Sequence, residues 1–221
     1  MRKAFFRRGT VVCVLPVVLL CASGCGLPNL LVYPFADREA KKQVAREHDL
    51  TAERLLILPY AGNDVLFEYP DAGRQISLQV IQQIRENLRG RVHRVINPNQ
   101  VARYQQSTLE WPNLPVADIG RQFQADKVLY IELNRFTLME ERSANLYRGR
   151  AEARIQVVDT GAPRGEESLY EGHVEVEVPD DRPIGTMEIS EATLLQAILY
   201  RFAEEVVWKF HDHEEKVVNS R

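Results

Sequence analysis

Two segments in the carboxyl half of the chain alternate strictly between apolar or small residues and polar residues. In 146–158 every second residue is apolar or small, from Tyr147 to Val157, and those between are mostly arginine and glutamate. The same period of two runs through 168–178. It is typical of β-strands with one buried and one solvated face. Because the linker 159–167 holds two glycines and a proline, we predict an antiparallel hairpin whose solvated faces set arginines against glutamates.

The rest of the chain mixes short apolar strands with helical segments. Apolar runs predict three more strands, at 55–58, 92–96 and 127–133. Helical periodicity predicts four helices, over 76–88, 97–106, 116–124 and 187–210, the second capped by Asn97 with Pro98 at its first position. The predicted fold is α/β (or α+β), with a single mixed sheet of about five strands, helices packed on one face, and a long C-terminal helix.

The amino terminus has the layout of a secretory signal peptide. A basic stretch, 1–8, precedes 14 apolar residues at 9–22, interrupted by Pro16. This run is too short to cross a bilayer core, which takes about 20 helical residues. Small residues follow it, as expected at a cleavage site.

The residues Ala22-Ser23-Gly24-Cys25 resemble the lipobox of bacterial lipoproteins. The resemblance implies cleavage after Gly24 and attachment of lipid to Cys25, which would make the membrane a partner of the chain. Gly26 follows instead of the aspartate typical of inner-membrane retention, so the expected location is the cell envelope, at the periplasmic face of the outer membrane. The alternative is an ordinary secretory signal with an incidental cysteine.

These features divide the sequence into four parts. We predict a signal peptide, an anchor with a tether, an α/β envelope domain and a polar tail, at 1–24, 25–52, 53–212 and 213–221.

Charge and cysteine content exclude several classes of function. Without its leader the chain has 24 basic and 31 acidic residues, a net charge of −7. Such an acidic chain is a poor binder of nucleic acid, which requires a positive surface. Because Cys25 is the only cysteine left, neither a disulfide framework nor a cysteine-based zinc site can form.

Catalytic motifs are weak. Asp159-Thr160-Gly161 matches the aspartic-protease tripeptide, but that chemistry needs two carboxylates, and the position predicts a hairpin turn. His211 and His213 are two residues apart and do not share a helix face, so no metal site is expected. We predict no catalytic residue, no cofactor and no metal ligand, and we expect the protein not to be an enzyme. Loop acids leave an uncharacterised envelope hydrolase as a remote alternative (Glu68, Asp71 and Glu110).

Aromatic side chains are concentrated in two loops, one after the first predicted strand and one before the third helix. They are Tyr60, Phe67, Tyr69 and Trp111. Loops that present aromatic residues over a rigid sheet commonly form contact surfaces. We take these four as candidate partner contacts, with packing of the loops onto the domain as the alternative.

Three segments resemble a family of small envelope lipoprotein domains that includes LpoB, CsgG, PelC and the amino-terminal domain of TolB. The resemblance is carried by LLILPY at 55–60, IGRQFQADKVLY at 119–130 and YRGRAEARIQVVDTG at 147–161. It implies a non-catalytic accessory protein, and it carries over no catalytic residue.

The first hypothesis is therefore a membrane-anchored binding or assembly module of the cell envelope. Its partner would be another envelope protein or a second copy of the chain, and not nucleic acid. The second hypothesis is a ring-forming component of an export assembly.

Overall fold

The computed structural model describes residues 41–143, 145–180 and 185–216. Residues Gln43–Glu214 form one compact unit, which begins ten residues before and ends two residues after the predicted domain 53–212. The predicted signal peptide, the lipidation site Cys25 and most of the tether lie outside the described residues. Within those residues, no helix is long and apolar enough to span a membrane.

The described residues form seven strands and five α-helices. In chain order they are β1 (Lys41–Val44), β2 (Ala52–Ala61), α1 (Asn63–Glu68), α2 (Ala72–Asn87), β3 (Val92–Val95), α3 (Pro98–Ser107), α4 (Val116–Gln122), β4 (Lys127–Met139), β5 (Tyr147–Asp159), β6 (Ser168–Val178), α5 (Glu191–Trp208) and β7 (His213–Lys216). A short 3₁₀ helix, Trp111–Asn113, lies between α3 and α4.

Five of the strands form one mixed sheet in the order β3-β2-β4-β5-β6, which confirms the predicted α/β fold. β2 is parallel to both β3 and β4, whereas β4, β5 and β6 are antiparallel. β1 and β7 form a separate two-stranded sheet. Sequence analysis assigned these two strands to the tether and the polar tail, because KKQV and HEEK carry no apolar alternation.

Helices cover both faces of the sheet, so the expectation of helices on one face alone is wrong. Leu55 and Ile57 of β2 belong to the larger core cluster, together with residues of α2 and α5. Leu56 and Leu58 point to the opposite face, where α3 and α4 build a second, smaller cluster. The reason is that β2 is apolar at consecutive positions, and successive side chains of a strand point to opposite faces.

The chain turns in opposite directions on either side of β2. From β2 it passes through α2 to β3 on one side, and from β3 it passes through α3 and α4 to β4 on the other side. The carboxyl end of β2 is therefore the point where the winding of the sheet reverses. Open α/β sheets bind ligands in the crevice at such a point.

The predicted hairpin is confirmed as β5 and β6. Val176 is buried on the face covered by α5. On the other face Arg150 lies directly opposite Glu177, with Nε and Oε1 2.6 Å apart, but the predicted pairing of arginine with glutamate does not hold along the whole hairpin, because Glu152 lies opposite Glu175. β4 extends the pairing as a third antiparallel strand and runs six residues beyond its predicted end at 133. Register shifts in its second half interrupt the alternation that would have revealed it.

Helix ends follow the local sequence. The Asn97 side chain accepts a hydrogen bond from the backbone N–H of Asn99 at 2.9 Å, which confirms the predicted cap of α3. Ser190 caps α5 in the same way through Thr193. The six-residue helix α1 lies in a stretch that was predicted as a loop. It was not predicted because turn-forming residues dominate this stretch and Val65 is the one buried residue of the helix.

Candidate functional site

A cleft of about 420 Å³ opens at the carboxyl end of β2, between α2 and α3. Its volume lies in the range of small-ligand sites in proteins. It is lined by the end of β2, the first turns of α2, one face of α3 and the 3₁₀ helix: Pro59, Tyr60, Ala61, Asn63, Leu66, Pro70, Asp71, Gly73, Arg74, Ser77, Pro98, Val101, Ala102, Gln105, Gln106, Trp111 and Pro112.

Two of the four predicted contact aromatics meet in this cleft. The rings of Tyr60 and Trp111 lie edge to face, with centroids 5.7 Å apart and planes at 74°. Both side chains are partly exposed. The pair brings together residues 51 positions apart in sequence and forms an aromatic wall over the end of the sheet.

The other two aromatics lie elsewhere. Tyr69 packs edge to face on Phe136, with ring centroids 5.1 Å apart, and belongs to the margin of the main core. Burial raises the pKa of its hydroxyl. Phe67 on α1 is 90% exposed and does not line the cleft.

A buried hydroxyl lies at the floor of the cleft. Ser77 is 1% exposed, and its Oγ has no hydrogen-bond partner among the described residues. Sequence analysis did not select Ser77. The sequence feature that could have indicated Ser77 is its place on the apolar face of α2, one turn before Val80 and Ile81, where the other residues pack on the sheet.

The walls of the cleft are held by specific contacts. Gln105 Nε2 donates a hydrogen bond of 2.7 Å to the carbonyl oxygen of Pro59, which ties α3 to the end of β2. On the other wall, a Cβ at Gly73 would lie 3.2 Å from the Cβ of Pro59, so glycine lets α2 approach this strand closely. Arg74 and Asp71 form an exposed ion pair at the mouth, with Nε and Oδ1 3.3 Å apart.

A compact and largely buried charge network lies on the face of β5 and β6 opposite α5. Glu140 accepts hydrogen bonds from Arg150 at 2.7 Å and from the backbone N–H of Gly185 at 2.9 Å, and Glu177 accepts from Arg148 and Arg150, each at 2.6 Å. The hydrogen bond from Arg150 lowers the pKa of Glu140 to about 2. The same arginine is the main cause that lowers the pKa of Glu177. The network pairs two positive with two negative groups, although Arg148 Nε and one terminal nitrogen of Arg150 are buried without a hydrogen-bond partner among the described residues.

The residues of the weak catalytic and metal motifs have structural roles. The Asp159 carboxylate accepts from the backbone N–H of Gly161 at 2.8 Å, so the protease-like tripeptide forms the predicted hairpin turn. The ring of His213 stacks on Trp208, with centroids 4.4 Å apart. Within the described ranges, no group of three or more His, Cys, Asp or Glu residues could hold a metal ion.

The similarity of this chain to known proteins is low in both sequence and structure. No protein-family model and no curated protein matches the sequence. The chain is similar to PelC from Paraburkholderia phytofirmans, solved as a dodecamer, with 10% identity over 78% of this chain and 96% of that one and a TM-score of 0.47. It is also similar to the lipoprotein GNA1162 from Neisseria meningitidis, with 15% identity over 68% and 98% and a TM-score of 0.44. With TM-scores below 0.5, neither similarity carries an argument about function.

Proposed function

We propose that this chain is a lipid-anchored protein of the bacterial cell envelope that binds a partner in the cleft and performs no catalysis. The leader sequence that ends at Gly24, directly before Cys25, supports the anchor. The observation that carries the binding role is the cleft itself, with its Tyr60–Trp111 wall and the unpartnered Ser77 hydroxyl at its floor. Its place at the reversal point of the sheet is the one that α/β folds commonly use for ligands.

The energetics of Ser77 favour a bound partner. A buried hydroxyl without a hydrogen bond costs about 1–3 kcal/mol of stability. A partner that supplies a hydrogen-bonding group to this hydroxyl would recover that cost on binding. Partly exposed tyrosine and tryptophan offer large contact area at a low loss of conformational entropy, and they are common among residues that dominate binding energy.

The composition of the cleft supports binding without catalysis. A serine nucleophile needs a general base within hydrogen-bond reach. The Ser77 hydroxyl touches no such group, and the described residues that line the cleft include no histidine, cysteine or lysine. Asp71 is engaged by Arg74 at the mouth.

The anchor is tested by fractionation of the cell envelope. The wild-type chain should sediment with the outer membrane and resist extraction by salt, whereas Cys25→Ser should lose this resistance. Identical fractionation of the two chains would refute the lipid anchor.

The cleft is tested by affinity capture from solubilised envelopes with Trp111→Ala. Truncation of a central aromatic residue commonly costs at least about 2 kcal/mol of binding free energy, which is roughly 30-fold in affinity. The matched control is Leu109→Ala, because Leu109 is 85% exposed in the same loop and does not line the cleft. Equal capture by both variants would refute a binding role for the cleft.

Self-association is the second candidate, and the strand β6 favours it. β6 spans 11 residues at an edge of the sheet, and an unpaired strand edge can pair with another chain. Sedimentation of the intact protein separates the candidates. A large assembly that persists on dilution would support a ring-forming role, and a monomer would remove it.

A further inference from the structure

Three arginine side chains converge at the end of the sheet opposite the cleft. Arg85 and Arg89 lie at the carboxyl end of α2 and in the turn that follows it, and Arg94 lies on the edge strand β3. All three are exposed and line one groove of about 390 Å³, which we call the arginine groove. The groove and the cleft are both lined by α2, where Ser77 of the cleft and Arg85 of the groove are eight residues apart, which is roughly 12 Å along the helix axis.

The three arginines of the arginine groove form no direct ion pair. Among the described residues, no acidic group lies within 4.0 Å of Arg85, Arg89 or Arg94, although Glu53 lies 3.7 Å from His93 of the same groove. Arg89 Nε donates a hydrogen bond of 2.9 Å to the carbonyl oxygen of Arg85, but no carboxylate pairs with the three guanidinium groups, in contrast to the net charge of −7 of the chain without its leader.

Protection of a sheet edge explains only part of this arrangement. Charged residues on an edge strand discourage pairing with other chains, and this role suits Arg94. It does not account for Arg85 and Arg89, which belong to the helix side of the groove. Guanidinium groups match the geometry of phosphate oxygens and bind them with two parallel hydrogen bonds. The shared chemistry of the three side chains is therefore recognition of a phosphate group.

The position of the groove indicates where that phosphate would come from. The chain enters the sheet at this end, because Ala52 pairs with Val92 and its N–H donates to the carbonyl of Arg91 at 2.9 Å. Residue 52 is also the end of β2 that follows the predicted anchor at Cys25 along the chain. Leu78, an apolar residue 44% exposed, shares a neighbouring groove with Arg85 and Arg89.

We propose that the arginine groove binds the phosphate groups of anionic phospholipids and holds this end of the domain against the membrane surface. The cleft at the other end of β2 would then face away from the lipid, toward its partner. The inference rests on the proposed membrane anchor for its setting, but it uses different residues from the cleft and predicts lipid affinity even without the anchor.

The test measures vesicle binding by the chain without its leader (25–221) carrying Cys25→Ser, which retains the whole compact unit Gln43–Glu214. Vesicles of phosphatidylcholine with phosphatidylglycerol are compared with vesicles of phosphatidylcholine alone, at low and at physiological salt. We expect binding only to the anionic vesicles, and weaker binding at the higher salt.

The decisive variant is the triple substitution Arg85→Gln, Arg89→Gln and Arg94→Gln. A basic residue near an anionic surface contributes about fivefold in affinity, so the triple variant should bind on the order of 100-fold more weakly. A control with the same change of charge is Arg103→Gln, Arg135→Gln and Arg142→Gln, three arginines outside the groove. Circular dichroism and a thermal melt verify that both variants fold.

Three results would overturn the proposal. Equal losses in the two triple variants would show that only net charge matters. Equal binding to both kinds of vesicle would exclude anionic headgroups. Submillimolar binding of inorganic phosphate by calorimetry, without vesicle binding, would assign the groove to a free phosphate compound. None of these results bears on fractionation of Cys25→Ser or on capture by Trp111→Ala, so failure here is distinguishable from failure of the proposed function.

Discussion

Replacing Ser77 by alanine should make the protein more stable and its binding weaker. Ser77 is 1% exposed and its hydroxyl has no hydrogen-bond partner among the described residues, so the folded state carries the desolvation cost of that hydroxyl, about 1–3 kcal/mol. Ser77→Ala removes that cost, and the higher helix propensity of alanine adds about 0.5 kcal/mol inside α2. In a unit of this size each kcal/mol raises Tm by about 2–4 °C. Urea unfolding at pH 7 gives the change in free energy, and calorimetry gives the change in Tm.

Thr160 provides a control of opposite sign. Thr160 is 8% exposed, and its hydroxyl donates a hydrogen bond of 2.6 Å to the carbonyl oxygen of Ala125. Thr160→Val keeps the shape and leaves that acceptor unpaired, so it should lose roughly 1–3 kcal/mol.

A lower stability of Ser77→Ala, or a gain that does not exceed the propensity difference of about 0.5 kcal/mol, would contradict a desolvation cost at this hydroxyl. Partner affinity should fall two- to tenfold in the same variant, because a hydrogen bond is worth about 0.5–1.5 kcal/mol. A gain in stability with unchanged affinity would mean that the partner does not use this hydroxyl.

Three further predictions concern the scaffold. Glu140→Gln should lower the free energy of unfolding at pH 7. The difference in this free energy from wild type should shrink as pH falls from 4.5 toward 2, because a carboxyl whose folded pKa is about 2 stabilises the fold only where it is ionised. Urea unfolding at several pH values measures this difference. Gly120→Ala should cost about 1–3 kcal/mol by calorimetry, because its Cβ would lie 2.5 Å from Thr160 Cγ2 and 2.6 Å from Val128 Cγ2. Phe202→Ala, fully buried in the main core, should cost about 3–5 kcal/mol in urea unfolding, and a loss below 1 kcal/mol would contradict its placement.

The parts of the fold that follow local rules could be predicted from the sequence. The Asn97-Pro98 pair marks the start of α3 because its cap and its fixed backbone angle act within a few residues. The hairpin could be recognised because alternation runs almost unbroken through β5 and β6. Such signals need no knowledge of distant partners.

The parts that depend on distant partners could not be predicted. β1 and β7 are polar strands more than 160 residues apart in sequence, and neither has the apolar–polar alternation that would predict a strand. The packing of α3 and α4 on the second face of the sheet was not predicted, because a uniformly apolar strand such as β2 does not indicate which elements cover each of its faces.

The candidate site shows the same division. Tyr60 and Trp111 could be recognised from the sequence as loop aromatics, but only the fold shows that their ring centroids lie 5.7 Å apart. The fold also shows that Tyr69 packs at the margin of the main core. The sequence marks Ser77 only as a polar residue on an apolar helix face, because whether its hydroxyl finds a hydrogen-bond partner depends on the groups that neighbouring elements bring to it.

The central claim, that the cleft is the partner-binding site of an anchored envelope protein, is tested most directly by photocrosslinking in living cells. A benzophenone amino acid replaces Trp111 in the lipidated chain, and the control carries it at Tyr200, an aromatic position on α5 that is 49% exposed and outside the cleft. Adducts are identified by mass spectrometry. The account predicts one envelope protein attached from position 111 and not from position 200, with its yield reduced by Ser77→Ala. The same adducts from both positions, or none from position 111, would contradict it.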